Sequence, residues 1–268
     1  MLHEKIGNKA FKEAVQAYLK KHQFKNVETG DFIREVEYAS NQDLNPFIEV
    51  WLKSDLFPYQ EVIACLKRSD FIQEYLEIEC FGNSLKCSKY LSSSISDEAK
   101  IKIILGNPEI IKEKDFSNSL KVRQAIAKSL TSIPAELKNQ YESLLNDNSY
   151  ITQEVALYNL WVNFPENRMA YLEKLRGTQG FVNKNIRILW LVLALNTSDF
   201  EPELNQKYFE ELSGYTNPVY NFETRMQAFQ YLELMKACDS ICQDNLLQAT
   251  KHHNWRFSKF AKDMLNND

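Results

Sequence analysis

Asn118-Ser-Leu-Lys-Val-Arg-Gln-Ala125, Asn148-Ser-Tyr-Ile-Thr-Gln-Glu-Val-Ala156, Asn185-Ile-Arg-Ile188, Asn221-Phe-Glu-Thr-Arg-Met-Gln-Ala228 and Asn254-Trp-Arg-Phe257 are degenerate versions of one phrase, an asparagine a few residues ahead of an apolar-basic step. Each opens a stretch with apolar residues three and four apart, the spacing of one helix stripe. The helices start near Leu120, Tyr150, Lys184, Phe222 and Trp255, at intervals of about 30 to 40 residues. Partner helices fit between them, around 134–146, 166–176, 202–212 and 239–250. A helix pair at that period, burying its apolar face on its neighbours, predicts an all-α chain with an α-α superhelix of HEAT or armadillo type.

Upstream, helical stretches fall around 59–67, 71–81 and 97–105, the last two closed by Gly82 and Gly106. Leu85 to Ser94, with three consecutive serines, reads as a loop. Phe57-Pro58 marks a break. Before it, Asn45-Pro46 starts a helix carrying Phe47, Val50, Trp51 and Leu52, with proline in the first turn, where its missing N–H costs nothing. Gly30-Asp31 precedes a short helix with Phe32, Ile33 and Val36. The first stripe (Leu2, Ile6, Ala10, Phe11, Ala14, Val15, Tyr18, Leu19) begins with no capping residue ahead of it, which predicts a helix cut from something longer.

Composition narrows the function. Of 268 residues, 44% are hydrophobic and 25% charged, ordinary for a chain with a packed core. Seven Gly and seven Pro are too few for many tight strand turns. A net charge of -4 with interspersed signs offers no basic stripe for phosphates, so nucleic acid is not an expected partner. The longest apolar run, Ile188 to Leu195, falls far short of the ~20 residues of a membrane span and predicts a buried helix. A soluble protein is expected, cytoplasmic or periplasmic; the N-terminus lacks a signal-peptide layout. The five cysteines, none in a Cys-x-x-Cys motif, make a disulfide framework improbable.

Candidate chemistry is sparse. His3-Glu4 would begin a His-Glu-x-x-His zinc helix, but Gly7 stands where the second histidine is needed. Cys238 and Cys242, four apart, with His252-His253 beyond, form a poor zinc set and read as a packed helix face. No phosphate loop, nucleophile elbow or outstanding carboxylate pair is present. Arg123, Arg187, Arg225 and Arg256 recur at helix starts. Their first reading is structural, bridging neighbouring repeats. The other is that Arg187, Arg225 and Arg256 line a concave face and meet a peptide carboxylate, which suits a guanidinium fork.

Two stretches carry a family resemblance. Met1-Leu-His-Glu-Lys-Ile-Gly-Asn-Lys-Ala-Phe11, Tyr18-Leu-Lys-Lys-His22, Thr29-Gly-Asp-Phe32, Asp43-Leu-Asn-Pro-Phe47 and Trp51-Leu52 resemble, in order, the segment of M1 zinc aminopeptidases just after the catalytic core. Tyr220-Asn-Phe-Glu-Thr-Arg225 with His252-His-Asn-Trp-Arg256 is similar to bacterial members. The resemblance implies that residues 1–57 are the last helices of a thermolysin-like catalytic domain and 58–268 a HEAT-like C-terminal domain. That domain would cover the active site and restrict peptide access. The family's zinc ligands, catalytic tyrosine and Gly-x-Met-Glu-Asn motif have no matching position here, so no catalytic, metal or cofactor residue is assigned in this chain. Zinc, peptide substrate and the N-terminal catalytic domain as partner are expected of a parent enzyme. The alternative is a free-standing HEAT-like scaffold that binds a protein or peptide, and a third possibility is a small zinc protein.

Overall fold

The computed structural model describes residues 1–68, 70–80 and 82–267. Among them the chain is all-α, with no strand. It divides into two compact units, Met1–Glu79 and Cys80–Asp268; the domain limit expected from sequence falls earlier, at 57/58.

The first unit holds α1 (Leu2–Ile6), α2 (Asn8–His22), α3 (Thr29–Ser40), α4 (Asn45–Ile48), a π-helical turn Glu49–Lys53, α5 (Tyr59–Leu66) and α6 (Asp70–Glu77). The single opening helix expected from the stripe is two, because Gly7 adopts φ 82°, ψ 159° between them. That region of backbone space is open only to glycine. The stripe survives the break, since Ile6 and Ala14 are buried on Ile33, Val36 and Leu44, with Phe11, Phe32 and Phe47 packed around them. α3 opens ahead of Gly30-Asp31 with a capping box: Asp31 Oδ2 accepts from Glu28 N at 2.9 Å. Pro46 does lie in the first turn of α4, with Leu44 as N-cap. α6 stops at Glu77, so Gly82 does not close it; the expected end at 81 lies outside the described residues.

The second unit begins with α7 (Ser84–Leu91), where a loop was expected from Leu85 to Ser94. The serines misled, because Ser92 to Ser94 follow the helix. Asn83 caps it by accepting from Lys86 N at 3.0 Å, and Cys87 and Leu91 bury one face. Next come α8 (Asp97–Gly106), whose last residue is Gly106, and α9 (Leu120–Ser129), α10 (Lys138–Ser143), α11 (Tyr150–Asn163), α12 (Arg168–Leu175), α13 (Asn185–Leu195), α14 (Asn205–Gly214), α15 (Phe222–Leu234), α16 (Ser240–Ala249) and α17 (Trp255–Asn267). All five expected helix starts and all four partner segments fall on helices, three of the partners entered through a 3-10 turn.

α9 packs on α11, α11 on α13, α13 on α15 and α15 on α17, while α10, α12, α14 and α16 fill in beside them. Polar ties cross this row at similar sequence separations. Arg123 Nε donates to Asp147 Oδ2 at 2.5 Å, 24 residues on. Ile133 N donates to Asn163 Oδ1 at 3.1 Å, 30 residues on, and Asn185 Nδ2 donates back to Glu154, 31 residues before. The run from Ile188 is a buried helix, as its apolarity requires: α13 hides Trp190 completely, with its Nε1 donating to Leu172 O at 2.7 Å. No helix among the described residues is long and apolar enough to cross a membrane.

Candidate functional site

The arginines at the helix starts occupy three different settings. Arg187, on the first turn of α13, meets Glu211 of α14 through two parallel bonds, Nε to Oε1 at 2.7 Å and Nη2 to Oε2 at 2.6 Å. A third bond runs from Nη1 to Arg176 O at 3.2 Å, and the guanidinium lies 4.6 Å from the Trp190 ring centroid. Burial works against both charges. The forked pairing outweighs it, holding Arg187 above and Glu211 below their ordinary pKa values.

Arg225 on α15 is 1% exposed, and among the described residues no carboxylate pairs with it. Its Nε donates to Thr216 O at 2.8 Å, and its Nη2 to Asn245 O at 3.1 Å and Gln248 Oε1 at 2.9 Å. The ring of Phe257 lies 5.0 Å from the guanidinium. Thr216 follows the end of α14, and Asn245 and Gln248 lie in the last turns of α16, so the cation sits where two helices point their negative ends. Burial alone pulls its pKa below the usual guanidinium value.

Arg256 on α17 is exposed, 5.4 Å from the Trp255 ring centroid. The three side chains have no partner in common, and in Arg187 and Arg225 the hydrogen-bonding forks are occupied by protein groups. Arg123 is likewise engaged, with Nη1 donating to Asn118 O at 2.6 Å beside its bond to Asp147.

The remaining sequence candidates settle differently. His3 bonds Glu4 at 3.0 Å on the surface. The rings of His252 and His253 lie tilted against each other with centroids 4.2 Å apart, and His252 Nδ1 accepts from Asn254 N at 3.0 Å. Burial, then His253 and Arg225, depress the His252 pKa. Cys238 and Cys242 are not a pair on one helix face. They are disulfide-bonded, Cα to Cα 5.2 Å, because Cys238 precedes the Asp239 N-cap and only Cys242 is in α16. Cys80 and Cys87 form a second bridge, Cα to Cα 5.1 Å, leaving Cys65 free. The sequence reading that a disulfide framework is improbable is corrected by these two bridges. The lack of a Cys-x-x-Cys motif misled, because pairing is decided by where caps and turns bring two Cα atoms together.

A zinc ion finds no set of donors here: among the described residues no group of three or more His, Cys, Asp or Glu could hold a metal. Two concavities went unread in the sequence. One, about 490 Å³, lies in the first unit among Glu4, Lys5, Phe47, Trp51, Glu61 and Arg68. The other, about 530 Å³, is a groove between α15 and α17 lined by Gln227, Tyr231, Leu234, Phe260 and Met264. Tyr231 in it is pushed to higher pKa by burial, then by Glu154 and Tyr158 of α11.

Residues 1–51 match the Peptidase family M1 domain. Over 58 residues, 22% of this chain, the sequence is 33% identical to aminopeptidase N of Lactococcus lactis subsp. lactis, and those residues are 7% of that protein. The chain therefore spans a small part of the curated relative it matches. No solved structure matches the chain. The family match lies within the first unit.

Proposed function

We propose that this chain is the C-terminal part of an M1-like zinc aminopeptidase. On this reading residues 1–57 end a thermolysin-like catalytic domain. Residues 58–268 form a HEAT-like superhelix that covers the active site, limits entry to short peptides and is inert alone. The observation that carries it is the match of residues 1–51 to the M1 domain, on the same stretch that holds Leu2, Gly7, Phe11, Thr29, Phe32 and Trp51 in family order. Row packing from α9 to α17, tied at about 30-residue separations, supports the superhelix. Zinc, the peptide's reacting end and the general acid-base groups belong on this reading to the preceding catalytic domain. This chain's contribution is a wall, with Arg256 the one candidate carboxylate reader whose guanidinium is exposed.

Sequencing the gene upstream of the Met1 codon tests this. The expected result is an open frame encoding His-Glu-x-x-His and, about twenty residues later, a glutamate. A stop codon in frame shortly before Met1, with ribosome initiation at Met1, overturns it.

One observation favours the second reading, a free-standing HEAT-like scaffold: the M1 match stops at residue 51, leaving the whole larger unit outside it. Recovery of a stoichiometric protein partner by this chain, together with that upstream stop, supports the scaffold.

A further inference from the structure

The two disulfides differ in access. Cys80 and Cys87 are sealed, 2% and 0% exposed. Cys238 is half-buried in the turn between α15 and α16, and Cys242, 0% exposed, lies behind it. Of the four bridged cysteines, Cys238 is the one with solvent-exposed surface beyond a trace.

The leaving sulfur, Cys242, lies at a helix N-terminus, which favours its thiolate, while its burial opposes it. Cys242 is the third residue of α16, a ten-residue helix capped by Asp239. The positive end of a helix stabilises a thiolate in its first turn. The Asp239 carboxylate opposes this, but its Oδ1 already accepts from Cys242 N at 2.8 Å and from Ser213 Oγ at 2.9 Å. The turn carrying Cys238 follows Lys236, held at φ 51°, a conformation disfavoured for a lysine. Backbone bonds at the end of α15, Lys236 N to Glu233 O at 2.9 Å and Ala237 N to Leu232 O at 2.8 Å, hold that turn.

We propose that Cys238–Cys242 is a thiol-exchange site for low-molecular-weight thiols of the glutathione type, and that Cys80–Cys87 is a structural staple. A thiolate RS⁻ attacks Cys238 Sγ. A bond forms between R–S and Cys238 as the Cys238–Cys242 bond breaks, and the electron pair leaves on Cys242 as a thiolate at the start of α16. A second RS⁻ attacks the R-bearing sulfur of this mixed disulfide, releasing RSSR and the Cys238 thiolate. Both thiolates take protons from water. The two electrons that reduce the bridge come from the two RS⁻, and the reverse sequence with RSSR reforms it. This site does not depend on the peptidase reading.

The full chain, isolated without reductant, is equilibrated in glutathione buffers of rising reduced-to-oxidised ratio, acid-quenched, alkylated and mapped by peptide mass spectrometry. Cys238 and Cys242 are expected to open at a ratio at least about tenfold less reducing than Cys80 and Cys87, with the far-UV circular dichroism unchanged. In the peptide map, with Cys65 scored separately, Cys242→Ser is expected to carry glutathione on Cys238, and Cys238→Ser to carry none on Cys242. Opening of both bridges in one step, no adduct on folded Cys242→Ser, or free thiols at Cys238 and Cys242 in the protein as isolated overturns the proposal. If Cys242→Ser does not fold, the order of opening in the unsubstituted chain decides.

Discussion

Arg225 places a full positive charge in the interior with carbonyl and amide oxygens as its hydrogen-bond acceptors. The arrangement holds because those oxygens are themselves at helix ends, where partial negative charge collects, and because a guanidinium reaches several acceptors in one plane. Arg225→Met removes the donors and leaves buried acceptors behind. Urea unfolding should show a loss of about 2–4 kcal/mol. Arg225→Lys should recover little of it, since an ammonium cannot span Thr216, Asn245 and Gln248 together. Next to it, His252 makes stability depend on pH. Its folded pKa lies below the ordinary 6.5, so the unfolded chain binds the proton more readily. Stability from this group is therefore complete above about pH 7.5 and falls as pH drops through 6.5 toward the depressed folded value. His252→Asn, whose amide oxygen can still accept from Asn254 N, should flatten the melting temperature between about pH 7.5 and 5.5 relative to the parent chain. An equal slope in both proteins contradicts the assignment. Arg123, Arg187 and Arg225 were legible as structural bridges from their recurrence at helix starts, while Arg256, read the same way, is exposed beside the Trp255 ring. Their occupation by carbonyls was not, because backbone oxygens leave no trace in a residue pattern.

At the scale of elements, caps explain both what the sequence disclosed and what it hid. Ser119, Ser149 and Asn221 accept from the third helical N–H of α9, α11 and α15, and Asn254 does the same for Phe257, so these starts could be read directly. α13 is entered differently. Lys184, its N-cap, is left-handed and gives no side-chain cap. Asn185 Oδ1 instead accepts from Phe181 N at 2.9 Å, folding the approach to the helix onto Gly180 at φ 84°. A Cβ at Gly180 would strike the Asn185 amide and Ile186 N. Gly180→Ala should thus lower stability by about 2 kcal/mol or more, read from thermal or urea unfolding; a neutral substitution contradicts this account of the α13 start. α7 was hidden by serines that follow it. The two bridges were hidden because the Cys238 to Cys242 approach exists only when the helix begins after Cys238.

The whole molecule contrasts a thin unit with a deep one. Among the described residues of Met1–Glu79, Ile6, Ala14, Ile33, Val36 and Leu44 form a buried cluster, while Leu19, Phe24, Tyr38, Leu56 and Phe57 stand exposed. Cys80–Asp268 buries α13 on all sides and ties its helices together by hydrogen bonds that recur along the row. Amide exchange should therefore be slowest in α13 and markedly faster in α2 and α3, since opening a helix costs more when it uncovers more apolar surface. Equal protection contradicts the division. The all-helical class was legible from the 3.6-residue period and scarce glycine. The limit of the compact units at 79/80 was not, because the proline at 58 punctuates the chain without ending the packing of the first unit. The family match to M1 peptidases, residues 1–51, lies in the first unit, and among the described residues no group of three or more His, Cys, Asp or Glu could hold a metal. The most direct test measures release of the chromophore from aminoacyl-p-nitroanilides by this chain alone and by the same chain joined to the protein encoded ahead of it. The account predicts no turnover by the chain alone and turnover by the joined protein that a chelator abolishes and zinc restores; chelator-resistant turnover by this chain alone contradicts it.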